Sequence, residues 1–271
     1  MSLARGQADG TAFLRRPGSG PALVLLHGIG SRAESWQAMV AALPAALPVI
    51  AWDAPGYGAS RPLAAFAPTP TDYALRLAAL LDALGQDRVV LVGHSLGALF
   101  AAAFAARHPA RVLALACLSP ALGYAVPPGA ALPQAVQARI DELQRLGPAD
   151  FAEARAARLL ARPLDAPEVL AAVRAAMAAV LPLGYAQAVR ALGAGDLLAD
   201  AARIAAPTLV AVGAEDVVTP PANAERLHAA LPHPADALRV IAACGHALPQ
   251  EAPGAAAALL GGLLAEAGCV G

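Results

Sequence analysis

Three observations predict an α/β chain: a doubly wound, mostly parallel sheet with an inserted helical cap. Short runs of β-branched and apolar residues alternate with stretches of helical period along the chain. That alternation gives parallel strands joined by crossover helices. One segment, residues 121–194, has no strand and is punctuated by prolines. Finally, His27, Asp53, Ser95, Asp216 and His246 all directly follow strand candidates, where ligands bind on open α/β sheets. The expected division is a core of residues 1–120 and 195–271 with a helical cap at 121–194.

The elements follow in order. Thr11–Arg16 is a short strand entered from Asp9-Gly10 and left at Pro17-Gly18-Ser19-Gly20. Ala22–Leu26 is wholly apolar, as a strand covered on both faces must be, and ends in His27-Gly28-Ile29-Gly30. A helix from Ser31 has Glu34 in capping-box position. Val49–Trp52 is a strand closing on Asp53-Ala54-Pro55-Gly56-Tyr57-Gly58. Thr71–Leu84 has helical period, with Thr71 as N-cap and Gly85 past its end. Val112–Leu118 is a further strand. In the insert, Pro133, Pro148, Pro167 and Pro182 each stand near the start of a helical stretch. Thr208–Val212 and Leu238–Ala242 are strands, and Ala222–Ala230 and Gly254–Ala267 are helices.

The remaining stretch carries the strongest signal. Val89–Val92 reads as a buried strand, breaks at Gly93-His94-Ser95-Leu96-Gly97, and gives way to an Ala-rich helix stopped by Pro109. A Gly-x-Ser-x-Gly pentapeptide in strand–turn–helix context is a nucleophile elbow. Read without that context it is a Gly/Ser loop.

Composition excludes several classes. The net charge of −1 points to neither nucleic acid nor a membrane surface as partner. All 19 basic residues are arginine, so Schiff-base, phosphate-loop and Ser-Lys chemistry have no lysine to use. His-Glu-x-x-His and Cys-x-x-Cys are missing, and neither metal nor cofactor is expected. Cys117, Cys244 and Cys269 are scattered and odd in number, as reduced thiols of a cytoplasmic protein are. Met1–Gln7 lacks the apolar core of a signal peptide, and no apolar run is long enough to span a membrane. The expected partner is a small-molecule substrate; the oligomeric state is not legible.

A serine hydroxyl becomes nucleophilic when a base takes its proton, and the base needs a third group to fix its tautomer. Ser95, Asp216 and His246 supply these in chain order. His108, His228 and His233 lie at a helix end, on a surface helix and in a loop, His94 is turned away beside the serine, and His27 precedes it. Asp196 and Asp200 read as cap and turn residues, and Asp53 as a turn-stabilising carboxylate. The oxyanion donors are the backbone N–H groups of Leu96, after the nucleophile, and Ile29.

Leu26-His27-Gly28-Ile29-Gly30, Asp53-Ala54-Pro55-Gly56-Tyr57-Gly58-Ala59-Ser60, Gly93-His94-Ser95-Leu96-Gly97, Gly213-Ala214-Glu215-Asp216 and Cys244-Gly245-His246 together resemble the α/β-hydrolase superfamily with a helical cap. Gly184-Tyr185-Ala186 through Asp196-Leu197 to Pro207-Thr208 resembles its enol-lactonase-like and carboxylesterase-like members. The resemblance implies a serine hydrolase of a small ester, lactone or enol-lactone. Serine at position 95 sets the chain apart from the aspartate-dependent dehalogenases and epoxide hydrolases. His94 and Ala247 stand where carbon–carbon bond hydrolases of ring-cleavage products commonly have Asn and Trp. That reading and a cofactor-free perhydrolase are alternatives.

Two other classes match part of the sequence. Gly28-x-Gly30-x-x-Ala33 with Asp53 mimics a dinucleotide fingerprint, but it leaves Ser95, Asp216 and His246 unexplained. A non-catalytic binding protein on the same scaffold is the other. Arg174 and Arg190 are candidate partners for a substrate carboxylate.

Overall fold

The computed structural model describes residues 3–269; of the N-terminal stretch read above for a signal segment, Met1 and Ser2 lie outside the described residues. Eight strands form one sheet: β1 (Ala4–Ala8), β2 (Thr11–Arg16), β3 (Ala22–Leu26), β4 (Val49–Trp52), β5 (Val89–His94), β6 (Val112–Leu118), β7 (Thr208–Gly213) and β8 (Arg239–Ile241). Their order is β1-β2-β4-β3-β5-β6-β7-β8. β2 runs antiparallel to both its neighbours, β1 and β4, and every other pairing is parallel. The helices are α1 (Gln37–Ala41), α2 (Pro70–Ala83), α3 (Leu96–Arg107), α4 (Gln134–Arg155), α5 (Pro167–Ala178), α6 (Pro182–Ala194), α7 (Leu197–Ala201), α8 (Pro221–Ala230), α9 (Leu248–Glu251) and α10 (Pro253–Glu266).

The apolar strands are apolar because both faces are covered. Successive side chains point to opposite faces of a sheet. Val24, Leu26, Ile50, Trp52 and Leu91 pack with Leu77 of α2 and Phe100 of α3. Their neighbours Leu23, Leu25, Val49, Ala51, Val90 and Val92 pack with Met39 of α1 and Leu260 of α10. Each fully buried aliphatic side chain contributes roughly 1.5–3 kcal/mol, and this double cover anchors the strand ends that carry the site.

Three local readings differ from expectation. β1, with the polar sequence Ala-Arg-Gly-Gln-Ala and a half-exposed face, carries no apolar pattern. It is a strand because Asp9 and Gly10, both at positive φ (43° and 71°), fold it back onto β2. Asp-Gly is a type I′ hairpin signal. The cap of α2 is Thr69, not Thr71: the Asp72 carboxylate accepts from the Thr69 N–H at 2.7 Å, and Pro70 takes the first helical position. Ser31 and Glu34 form no capping box. Glu34 pairs with Arg5 and Arg32, and Asp53 Oδ1 accepts the Ala33 N–H at 2.9 Å. A carboxylate distant in sequence caps that turn, which no local pattern reveals.

Between β6 and β7 the described chain is helical. α4 breaks at Gly147, at φ 74°, and resumes at Pro148. Pro167 and Pro182 open α5 and α6. The two ends of this segment are joined by a bridge between Gly123 and Asp196 and by the Leu197 N–H on Leu122 O at 2.8 Å. Gln187 of α6 donates to Leu63 O and Ala65 O, both at 2.7 Å, and so ties α6 to the loop after β4. Among the described residues no single helix is long and apolar enough to cross a membrane.

Candidate active site

Ser95 sits between β5 and α3 at φ 54° and ψ −116°, a region that costs a non-glycine residue of order 1–3 kcal/mol and persists only when the surroundings hold it there. Its N–H donates to Leu118 O at 2.9 Å, and its carbonyl accepts from Ala98 and Ala121 at 3.0 and 3.2 Å. The flanking glycines are compulsory. A Cβ on Gly93 would come within 2.4 Å of the Gly97 carbonyl oxygen, and one on Gly97 within 2.0 Å of the Leu26 carbonyl oxygen. Only bare backbone lets β5, α3 and β3 approach this closely around the turn.

Asp216 and His246 come from the loops after β7 and β8. His246 Nδ1 lies 2.8 Å from Asp216 Oδ2. An ionised carboxylate only accepts, so Nδ1 carries the proton and Nε2 is left as the acceptor. Asp216 Oδ1 takes the N–H groups of Val218 and Thr219 at 2.8 and 2.9 Å, and the Thr219 hydroxyl reaches Oδ2 at 2.9 Å. Burial alone would raise the Asp216 carboxyl. The hydrogen bond and charge of His246, with the N–H groups of Thr219 and Val218, outweigh it and hold the carboxyl at about 2.

Ser95 and His246 line one cavity of about 520 Å³. Among the described residues no hydrogen bond joins Ser95 Oγ to His246; such bonds commonly tighten only when substrate is bound. Ile29 and Leu96 line the same cavity. Neither of their N–H groups donates to a backbone carbonyl among the described residues. The sheet-end loops thus line one space with a serine, a carboxylate-held imidazole and two residues whose N–H groups have no backbone partner among the described residues. That set can move a proton and hold an oxyanion.

The other candidates fall into structural roles. His27 Nε2 accepts the Ala54 N–H at 3.0 Å, and Nδ1 is 2.8 Å from Gly28 O, so both ring nitrogens are used. His94 donates through Nε2 to His246 O at 2.7 Å, and burial lowers it to about 3, leaving a neutral ring that braces the base. His228 bonds Asp236 O at 2.8 Å, and neither it, His108 nor His233 lines the cavity. Asp53 is buried and occupied by the Ala33 N–H, so the dinucleotide reading loses the carboxylate it needed for a ribose.

Sequence reasoning missed Thr219, whose Oγ1 also lies 3.1 Å from His246 Nδ1 and donates to Ser119 O at 2.9 Å. The Asp216-x-x-Thr219 spacing was the available signal. The two arginines that the sequence raised as candidates, Arg174 and Arg190, lie outside the cavity lining. Arg174 pairs with Glu153 at 2.9 Å and Arg190 lies 3.9 Å over the Phe66 ring, whereas Arg139, Arg155, Arg158 and Arg226 line the cavity.

With this geometry in place, comparison with known proteins assigns the family. The profile of the family described as alpha/beta hydrolase fold matches residues 21–253. The putative carbamate hydrolase RutD of Escherichia coli O157:H7 is 30% identical over 224 residues, covering 78% of this chain and 80% of that protein. An uncharacterized protein of Mycobacterium tuberculosis, Rv2715, is 42% identical over 96 residues, and that stretch spans 28% of its length. Among solved structures, a malate-bound thermophilic esterase from Thermogutta terrifontis superposes with a TM-score of 0.83 at 26% identity, covering 98% of each chain. The enol-lactonase from Burkholderia xenovorans LB400 gives 0.83 at 25% identity, covering 97% of this chain and 100% of its own. The chain spans less than a third of the length of the uncharacterized mycobacterial relatives it matches, and it belongs to the alpha/beta hydrolase family.

Proposed function

We propose that the protein is a serine hydrolase that cleaves a small carboxylic ester, lactone or enol-lactone through an acyl-enzyme. The observation that carries this reading is the carboxylate-held imidazole opening on the same cavity as a serine in a strained strand-to-helix turn. Ser95 Oγ attacks the substrate carbonyl while His246 Nε2 takes its proton. Asp216 stays ionised and stabilises the imidazolium. The N–H groups of Leu96 and Ile29 receive the oxyanion. The C–O bond to the leaving alkoxide then breaks, and His246 returns the proton to that oxygen. Water attacks the acyl ester in the second half, with His246 again as base, and frees the acid and Ser95.

The esterase and enol-lactonase similarities support the substrate class. Every step draws on side chains and main-chain N–H groups of this chain. Residues 121–194 act as a cap: Phe151, Val173, Met177 and Tyr185 of this segment line the cavity together with the sheet-end loops and select the acyl and alcohol groups.

A fluorophosphonate probe tests the reading. Wild type gains one adduct by intact mass, and Ser95→Ala gains none. Labelling that persists in Ser95→Ala removes the assignment. A binding protein on the same scaffold would leave wild type unlabelled as well.

A further inference from the structure

The chain is almost neutral, with 19 basic and 20 acidic residues. The cavity wall is not. Arg139, Arg155, Arg158 and Arg226 line it, and no Asp or Glu does. These arginines come from two sides: Arg139 and Arg155 from α4, Arg158 from the turn that follows, and Arg226 from α8.

The four are not equivalent. Arg155 is held by Glu142, with Nε 2.9 Å from Oε2, and its guanidinium lies 5.0 Å over the Phe151 ring. Its charge is offset inside the protein. Among the described residues no carboxylate pairs with Arg139, Arg158 or Arg226. Arg158 and Arg226 are exposed, whereas Arg139 is half-buried. Burial raises the phenol of Tyr185, another cavity residue, while the Arg139 and Arg155 charges pull it back. Arg139 shares the cavity lining with the buried Tyr185.

A half-buried guanidinium without a counter-charge gives up hydration for which the free protein provides no carboxylate in exchange. A ligand anion restores the balance, and the guanidinium fork fits a carboxylate with two parallel hydrogen bonds. One half-buried cation on the cavity wall without a carboxylate partner matches a single negative charge. The two exposed arginines place positive potential where an anion enters.

We propose that the substrate carries a carboxylate remote from the scissile bond and that Arg139 binds it, with Arg158 and Arg226 drawing it in. This assignment rests on the hydrolytic reading above and deepens it: the preferred class is a half-ester or lactone of a dicarboxylic acid. A neutral ester of the same size forfeits the charge-assisted pair, which corresponds to about tenfold or more in affinity.

The matched pair monomethyl glutarate and dimethyl glutarate tests it, because the two differ by one methyl and one charge. Wild type is expected to show a kcat/KM for the monoester at least about tenfold above that for the diester, carried by KM. Added salt raises KM for the monoester and not for the diester. Arg139→Gln lowers the monoester-to-diester ratio of kcat/KM about tenfold, Arg139→Lys restores part of it, and Arg226→Gln gives a smaller loss with its salt dependence reduced. Arg190→Gln, outside the cavity, leaves the ratio at its wild-type value. Calorimetry on Ser95→Ala separates binding from chemistry: monomethyl glutarate binds it, and Arg139→Gln in that background abolishes the heat. If Ser95→Ala binds monomethyl glutarate but wild type turns over neither ester, the carboxylate site stands and the hydrolytic reading fails. If wild type hydrolyses the diester as well as the monoester, or if the ratio survives Arg139→Gln, the carboxylate site is overturned and the hydrolytic reading stands.

Discussion

The two walls of the cavity are built on different principles. The sheet-end wall, Gly28, Ile29, Ser95, Leu96 and His246, is held by backbone. Its positions follow from strand register, from glycines that admit no Cβ, and from main-chain hydrogen bonds. The helical wall, with Phe151, Arg155, Val173, Met177 and Tyr185, is held by side chains packed on side chains. A wall of the first kind tolerates almost no change in residue identity, whereas one of the second kind can be repacked while its volume is kept. Reaction chemistry belongs on the first and substrate choice on the second.

That contrast can be broken by mutation, and the largest effect should come from the sheet-end wall. Ser95→Ala is expected to lower kcat by about 10⁶-fold on every substrate. His246→Ala should cost nearly as much, and the double variant little more, because the residues act on one proton. Losses that multiply in the double variant would mean that Ser95 and His246 do not cooperate. Asp216→Asn should lower kcat about 10⁴-fold, since an amide can neither fix the working tautomer nor stabilise the imidazolium. Its circular dichroism and thermal midpoint should show a folded protein.

The helical wall should respond differently. Met177→Ala opens space in it and is expected to redistribute kcat/KM among short and long acyl esters by about tenfold, in the range that pocket fit supplies. An unchanged chain-length profile would remove the helical segment as the specificity element.

The smallest effect concerns the brace of the base within the sheet-end wall. His94 is neutral in the folded protein because burial lowers it from 6.5 to about 3. Protonation therefore favours the unfolded chain. This stabilisation is full above pH 6.5 and is lost as the pH falls towards 3, at no more than about 1.4 kcal/mol per pH unit. Asp216, lowered from 3.8 to about 2, has the same sign in a lower window: its contribution is full above 3.8 and disappears as the pH falls through 2. Urea midpoints between pH 7 and 4 should fall in wild type and fall less steeply in His94→Gln. Parallel slopes for the two proteins would show that His94 does not carry the acid sensitivity.

The sequence by itself determined seven of the eight strands and the candidate triad. Ala22–Leu26 and Val89–Val92 are legible because double cover requires continuous apolar runs. Ser95 is legible because the close approach at Gly93 and Gly97 demands glycine and leaves a pentapeptide in the chain. Asp216 and His246 are legible because each lies in the loop that follows a strand. What only the tertiary structure decided depends on groups far apart in sequence. Asp53 caps the turn at Ala33 across the fold. β1 becomes a strand because β2 offers it a ladder. Thr219 joins Asp216 and His246 through distances that no spacing encodes. The arginines show this most plainly. Arg174 and Arg190 had helical positions as good as that of Arg139. Which guanidinium meets Glu153, which lies over Phe66, and which is left facing the cavity follows from how helices cross and which side chains they bring together. A one-dimensional pattern records the period of a helix but not the neighbour that its face will meet.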